Sequence, residues 1–281
     1  MRIVTLVENT KLENSTLQER FGLGFYIECG KRKILFDNGP DDAFKHNAEA
    51  LNINIADVDA YILSHAHYDH GGGLKEFLAI NSKAKIYLLC EANGKYYSTP
   101  GNAPYKYIGL DHETITENIT RFHFFFDNIT LFDFVHLYKV ERKGGFVPVS
   151  NSLLYKNTMG AYEHDDFQHE LVLAITENNR NVIFTGCAHS GIINMIETVR
   201  LHMPNTPISA VIGGFHLLNT ATKQLAERKE TVISLAQTLL KRNIPKIYTG
   251  HCTGEEGFSI LKEQLGDKIE KLYTGSEIRL S

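Results

Sequence analysis

Ser64-His65-Ala66-His67-Tyr68-Asp69-His70-Gly71-Gly72-Gly73 directly follows the apolar run Ala60-Tyr61-Ile62-Leu63. The run reads as a buried strand, so three histidines and an aspartate fall where that strand ends and a glycine-rich turn begins. At near-extended spacing His65 and His67 point the same way, because side-chain direction repeats every two residues. They can grip one ion together. Once the chain turns, Asp69 and His70 can face an adjacent position, and a carboxylate beside imidazoles suits zinc, iron or manganese. The glycines permit close backbone approach. Without a cation such a cluster at the end of a buried strand would cost stability, which argues for a site rather than chance.

Upstream of this segment, IVTLVE, GFYIECG and KILFDNG read as short strands separated by Gly and Asn turns, and DDAFKHNAEALNI has helical spacing. Downstream, SLLYK, LVLAITENN, NVIFTG, ISAVIGG, IPKIYTG and IEKLYTG read as strands, and SGIINMIETVRLHM and GFSILKEQLG as helices. From about Thr220 to Arg242 the pattern is helical, with Leu225, Val232, Leu235 and Leu239 on one face. Strands and helices mixed along the whole length imply a layered α/β architecture. No Pro-, Gly- or Ser-rich linker or repeat interrupts it, so residues 1–281 are expected to form one domain. The least regular stretch, about 94–130, carries Tyr96, Tyr97, Tyr105, Tyr107, Phe122, Phe124, Phe125 and Phe126. It is expected to be an inserted cap packed on the main body, with a lid over a pocket as the alternative use of its rings.

Composition narrows the function classes. The chain is 43% hydrophobic and 22% charged, as expected of a soluble globular protein with a substantial core. Its 29 Lys and Arg against 33 Asp and Glu give a net charge of −4, which argues against holding nucleic acid mainly by charge. No run of roughly 18 apolar residues occurs, and the start MRIVTLVENT lacks the basic-then-apolar layout of a signal peptide. A cytoplasmic protein with no membrane partner is the expectation. Cys29, Cys90, Cys187 and Cys252 are scattered without CxxC spacing, which suits reduced thiols rather than a disulfide scaffold or zinc ribbon.

HAHYDH matches the HxHxDH signature, and through it the chain resembles the metallo-β-lactamase superfamily. The ordered series GFYIECGKRKILFDNG, NAEALNI, LSHAHYDHGGGL, TGCAHSGIINMI, IGGFHLL and YTGHCTG is similar to the subgroup named for 7,8-dihydropterin-6-methyl-4-(β-D-ribofuranosyl)aminobenzene 5′-phosphate synthase, a methanopterin-pathway activity. The resemblance covers nearly the whole chain. It implies a four-layer αββα sandwich with a one- or two-metal site between the sheets. By the same resemblance His189 completes a first metal site with His65 and His67, and His251 completes a second with Asp69 and His70. Zinc is the implied cofactor, as one or two ions, with manganese or iron as alternatives. Asp37 in ILFDNG would orient the metal loop from behind. Where many superfamily relatives carry a bridging aspartate after Thr-Gly, this chain has Cys187, which leaves a thiolate ligand and a packed thiol both open.

Val182-Ile183-Phe184-Thr185-Gly186 reads as a buried strand ending in a turn before a helix, a geometry that would present His189 and free backbone amides to the cleft. Those amides would favour a phosphate or carboxylate on the substrate. Ser190 is expected to help cap the helix. His216, in GGFHLL, could bind metal, protonate a leaving group or hydrogen-bond substrate, and a substrate-side role is favoured. His164 and His169 flank Asp165 and Asp166 and are read as turn or supporting groups. His46, His112, His123, His136 and His202 have no such context. Lys95, Lys106 and Lys143 are candidates to assist an anionic substrate.

The expected chemistry is metal-dependent hydrolysis or a related transfer by metal-activated water, on a small, anionic, phosphate-containing and pterin-like molecule, with Asp69 and His216 as catalytic groups. Two other classes compete. Superfamily relatives hold two irons and reduce oxygen or nitric oxide, though no flavodoxin-like extension stands in this chain, and a non-catalytic metal-binding module is the third.

Overall fold

The computed structural model describes residues 1–99, 104–141 and 144–280. One seven-stranded sheet contains β1 (Arg2–Val7), β2 (Gly24–Cys29), β3 (Arg32–Phe36), β4 (Ala60–Ile62), β5 (Lys85–Leu89), β8 (Phe122–Phe125) and β18 (Glu277–Arg279), in the order β18-β1-β2-β3-β4-β5-β8. A second contains β9 (Ile129–Leu131), β10 (Val135–Lys139), β13 (Leu171–Glu177), β14 (Arg180–Phe184), β15 (Ile208–Ile212), β16 (Lys246–Thr249) and β17 (Ile269–Lys271), in the order β17-β16-β15-β14-β13-β10-β9. Each sheet is antiparallel on one side and parallel on the other: β3, β4, β5 and β8 run parallel, as do β14, β15, β16 and β17.

The period of two in each strand builds the layers. Ile3, Phe25, Ile27, Ile34 and Phe36 of the first sheet meet Leu171, Leu173, Ile175, Phe184 and Ile212 of the second in the core between the sheets. The alternate residues Val4, Leu6, Tyr26, Leu35 and Tyr61 turn outward against α1 (Ala43–Ala50) and α3 (Leu74–Ile80), through Phe44, Ala48, Leu74 and Phe77. Val172, Ala174, Ile183, Val211 and Ile247 turn outward on the other side, against α5 (Ile192–His202), α6 (Lys229–Lys241) and α7 (Glu255–Leu265). Both faces of each sheet are buried, which is why the strands read as nearly unbroken apolar runs. The result is the αββα sandwich. No helix of the described residues is long and apolar enough to cross a membrane.

Two expectations change. The helix expected from Thr220 begins only at Lys229, after an extended Arg228. Leu225 instead pairs with Leu218 in an isolated bridge and packs on the helical layer from a loop, so an apolar residue at helical spacing was filling the core without being helical. The aromatic stretch 94–130 is divided. β6 (Lys95–Ser98) and β7 (Lys106–Tyr107) join β11 (Leu154–Thr158) and β12 (Ala161–His164) in a separate four-stranded sheet of order β12-β11-β6-β7. α4 (His112–Glu117) follows, and Phe122–Phe125 pairs with β5 as the edge of the first large sheet. Aromatic side chains fill either kind of sheet, so ring content alone could not draw that boundary.

Candidate metal centre

The loops that carry the histidines leave the carboxyl ends of parallel strands: Asp37 follows β3, His65 to His70 follow β4, Cys187 and His189 follow β14, His216 follows β15 and His251 follows β16. Open α/β sheets place ligands at this end. Two donor groups form there. The ligand atoms of His65, His67 and His189 lie within 4.8 Å of one another, as do those of Asp69, His70, Cys187 and His251. All seven residues are buried. The short helix α2 (Tyr68–Gly71) makes the turn that brings Asp69 and His70 into the second group, with the His70 ring centroid 4.2 Å from that of His65.

Three imidazoles, those of His65, His189 and His251, are held at Nδ1 and left bare at Nε2. Asn9 donates through Nδ2 to the His251 carbonyl at 3.1 Å, so its Oδ1, 2.8 Å from His251 Nδ1, accepts the ring proton. Asn151 grips His189 the same way, at 2.8 Å to the carbonyl and 3.0 Å to Nδ1. Ser64 donates its hydroxyl to Asp37 at 2.7 Å and accepts from His65 Nδ1 at 2.8 Å. The Nε2 atoms of His65, His67, His189 and His251 are buried and have no hydrogen-bond partner. A buried acceptor left unpaired costs roughly 1–3 kcal/mol, and four converging ones make a donor set that fits a cation. Imidazole nitrogen with one carboxylate, and a thiol at hand, suits a divalent transition metal.

Buried carboxylates pin the loops. Asp37 accepts from the Ser64 amide at 2.8 Å, the Ser64 hydroxyl at 2.7 Å and His70 Nδ1 at 2.7 Å. Glu8 accepts from the His251 amide at 2.6 Å. Glu170 accepts from the His189 and Ser190 amides at 2.8 and 2.6 Å. Asp165 accepts from His169 Nε2 at 3.0 Å, leaving His169 Nδ1 to accept from the Ala66 amide at 3.0 Å. Asp37, Ala188, His216 and His251 also sit in the left-handed region, at φ of 56°, 57°, 50° and 51°. Such backbone persists in non-glycine residues where the surroundings over-determine it. Under His65 the chain admits only glycine: a Cβ at Gly186 would collide with Ser64 Oγ and His65 Nδ1.

This arrangement corrects two sequence readings. The His189 and Ser190 amides are not free to bind a substrate anion, because Glu170 takes both. Ser190 is not the cap of α5 either: Gly191 holds that position, at φ 89°. His216 is buried beside His189, ring centroids 4.1 Å apart, with both ring nitrogens unpartnered. His216, Asp69, Lys106, Lys223 and Phe21 line a cavity of about 360 Å³ over the donor groups. Lys95 stands on β6 outside that lining, and Lys143 lies outside the described residues. His164 is exposed and stacks on Tyr155, whereas His46 and His202 pair with acids at the surface.

The charges are set by burial and by neighbours. Burial pushes His65 and His189 well below the ordinary histidine range, and takes His67 down to about 3. Burial would also lower His70, but the Asp37 and Asp69 charges override it and push His70 up to about 9. For Asp69 burial works upward, and the adjacent His70 and His251 outweigh it and hold the carboxyl below its usual range.

A pH profile of the chelated protein follows. His65, His67 and His189 stay neutral when folded and take protons when unfolded, so their contribution is complete above 6.5 and is lost as pH falls toward 3. His70 has the opposite sign, complete below 6.5 and lost as pH rises through about 9. Thermal midpoints of metal-free protein from pH 4 to 10 should therefore peak near neutrality, roughly between 6 and 7. A profile flat across that span would contradict these charge states.

Residues 18–89 match the family model of the metallo-β-lactamase superfamily. The chain is 30% identical over 292 residues to the 7,8-dihydropterin-6-methyl-4-(β-D-ribofuranosyl)-aminobenzene-5′-phosphate synthase of Methanocaldococcus jannaschii, an alignment spanning 99% of this chain and 96% of that protein. An uncharacterized protein of the same organism is 28% identical, over 79% of this chain and 82% of its own. Among solved structures, Tm1679, a metal-dependent hydrolase of the β-lactamase superfamily, is similar with a TM-score of 0.82 and 25% identity, covering 100% of this chain and 99% of that one. An isothiocyanate hydrolase from Delia radicum gut bacteria, 14% identical with a TM-score of 0.53 over 100% of this chain and 99% of that one, shares the fold. With the αββα layers and the HxHxDH loop at the strand ends, this likeness across nearly the full length has one reading: the chain belongs to the metallo-β-lactamase superfamily, in the subgroup of the dihydropterin ribofuranosylaminobenzene phosphate synthase.

Proposed function

We propose that the protein is a metal-dependent hydrolase, or a transferase of related mechanism, acting on a small phosphate-containing, pterin-like substrate. The observation that carries this reading is the set of four buried Nε2 atoms without a hydrogen-bond partner, three of them on residues that line the cavity. His65, His67 and His189 would hold one divalent ion, and Asp69, His70 and His251 a second, with zinc first and manganese or iron as alternatives. Such an ion makes a nucleophile available at neutral pH by acidifying water, and polarises the bond under attack.

The chain's own residues do the rest. Asp69 keeps its negative charge against burial and faces His251 at 3.4 Å, so it can orient an attacking water by accepting its proton. His216 has two ring nitrogens free of protein partners and can hand a proton to the leaving group. Lys106 and Lys223, on the cavity wall, attract an anion, and Phe21 offers a ring face beside His251 at 4.9 Å between centroids. The substrate class follows the name of the M. jannaschii relative, whose product carries a 5′-phosphate.

A panel of chromogenic phosphodiester and phosphomonoester substrates tests this. Turnover should appear with zinc or manganese and fall by roughly 100-fold or more on chelation. A metal-replete protein inactive on the whole panel would count against the hydrolytic reading.

A further inference from the structure

Cys187 and Cys252 stand far apart in sequence and meet at the cavity. Cys187 follows β14 and Cys252 follows β16, with β15 between those strands. Strands two places apart in a sheet are roughly 10 Å from each other, too far for short side chains to touch. The chain leaving β15 removes the obstacle. Its Gly214 amide donates to the Gly186 carbonyl at 2.8 Å, and a Cβ on Gly214 would collide with Cys252 Sγ and stand 3.5 Å from Cys187 Cα. Cys252 uses the space this glycine leaves open: its Sγ accepts from the His216 amide at 3.3 Å and donates to the Cys187 carbonyl at 3.6 Å. After burial, each thiol is the strongest influence on the ionisation of the other. Both are free thiols, 3% and 1% exposed, and both line the cavity, so a small molecule that enters it reaches them. The other two cysteines differ. Cys29 donates to Glu177 at 3.4 Å, Cys90 follows β5, and neither lines the cavity.

We propose that Cys187 and Cys252 are an oxidisable pair: hydrogen peroxide entering the cavity converts them to a disulfide, and that bond weakens the second donor group. One thiol is oxidised to a sulfenic acid with release of a water, and the other displaces a second water from it. In total two S–H bonds break, one S–S bond forms, and the two electrons that the sulfurs give up reduce the peroxide O–O bond. The thiol protons leave in the two waters. The bond draws the loop that carries His251 toward the end of β14 and out of register with Asp69 and His70, its partners in that group. This effect on metal rests on the metal-centre reading above; the disulfide itself does not.

Peptide mapping of chelated protein, after exposure to hydrogen peroxide and blocking of the remaining thiols, reads the bond directly. Wild-type protein should yield one cross-linked pair of peptides holding Cys187 and Cys252, which dithiothreitol separates. Its zinc affinity should fall roughly tenfold or more until the reductant is added. Cys252→Ser should give no cross-link under the same treatment. Cys187 and Cys252 recovered as separate thiols or separate sulfinic acids, or linked to Cys29 or Cys90 instead, would overturn the inference. A Cys187–Cys252 cross-link that leaves zinc affinity unchanged would overturn its effect on the metal. If Cys252→Ser does not fold, the wild-type map still decides. Reduced protein that takes up no zinc would overturn the metal-centre reading, and the map reads the cross-link regardless.

Discussion

Asp37→Ala should lower folding stability by about 4 kcal/mol or more, the cost of taking their shared carboxylate from three buried donors. The Ser64 amide, the Ser64 hydroxyl and His70 Nδ1 all donate to Asp37 at 2.7–2.8 Å, and both Asp37 and His70 are fully buried. No water replaces the lost acceptor at such a depth without opening the loop. A native stability of about 5–15 kcal/mol leaves little margin for that loss. The damage also reaches the donors, because His65 Nδ1 is fixed through Ser64, whose hydroxyl Asp37 fixes in turn. Asp37→Asn, which keeps one acceptor oxygen, should fall between the alanine variant and wild type. Urea unfolding of chelated protein, with the m-value unchanged, measures the effect. A loss under about 1 kcal/mol for Asp37→Ala would mean that the network carries little of the fold.

His67→Ala should do the reverse: most of the metal is lost and most of the fold is kept. Its Nε2 has no partner in the protein, so removing it strands no donor that the fold depends on. Zinc binding worth about 10–16 kcal/mol spread over roughly four ligands puts each near 2.5–4 kcal/mol, so affinity at this group should drop by about 10²–10³-fold. Asp69→Ala should weaken the second group in the same way. Elemental analysis after dialysis, with circular dichroism alongside, separates the two effects. Both variants retaining near-stoichiometric metal would sink the ligand assignment.

The parts of this molecule that were legible in the sequence are those written locally. The alternation in GFYIECG and LVLAITENN dictates two-faced burial, and the sheets follow from it. His65, His67, Asp69 and His70 are spaced within one turn, and strand-then-turn punctuation located Cys187, His189, His216 and His251 at strand ends. What stayed hidden is long-range. Glu8 meets His251 across 243 positions, Asn9 across 242 and Asn151 meets His189 across 38, with no local pattern to announce any of them. One signal was available: Glu8 and Asp37 are acids placed directly after apolar strands, β1 and β3, where a solvated turn residue and a buried clamp look alike. Glu170 shows the cost of that blindness, since the amides offered to a substrate phosphate already have an internal carboxylate. The Leu225 reading failed because helical spacing reports which side is buried, not whether the backbone coils.

That separate loops aim bare Nε2 atoms at two neighbouring cation positions is tested most directly by nitrogen-detected NMR of histidine-labelled protein. On adding zinc to metal-free protein, the ring Nε2 resonances of His65, His67, His189 and His251 should move while those of His46, His123 and His164 stay in place. Zinc bound with those four resonances unmoved, or shifts confined to the exposed rings, would contradict it.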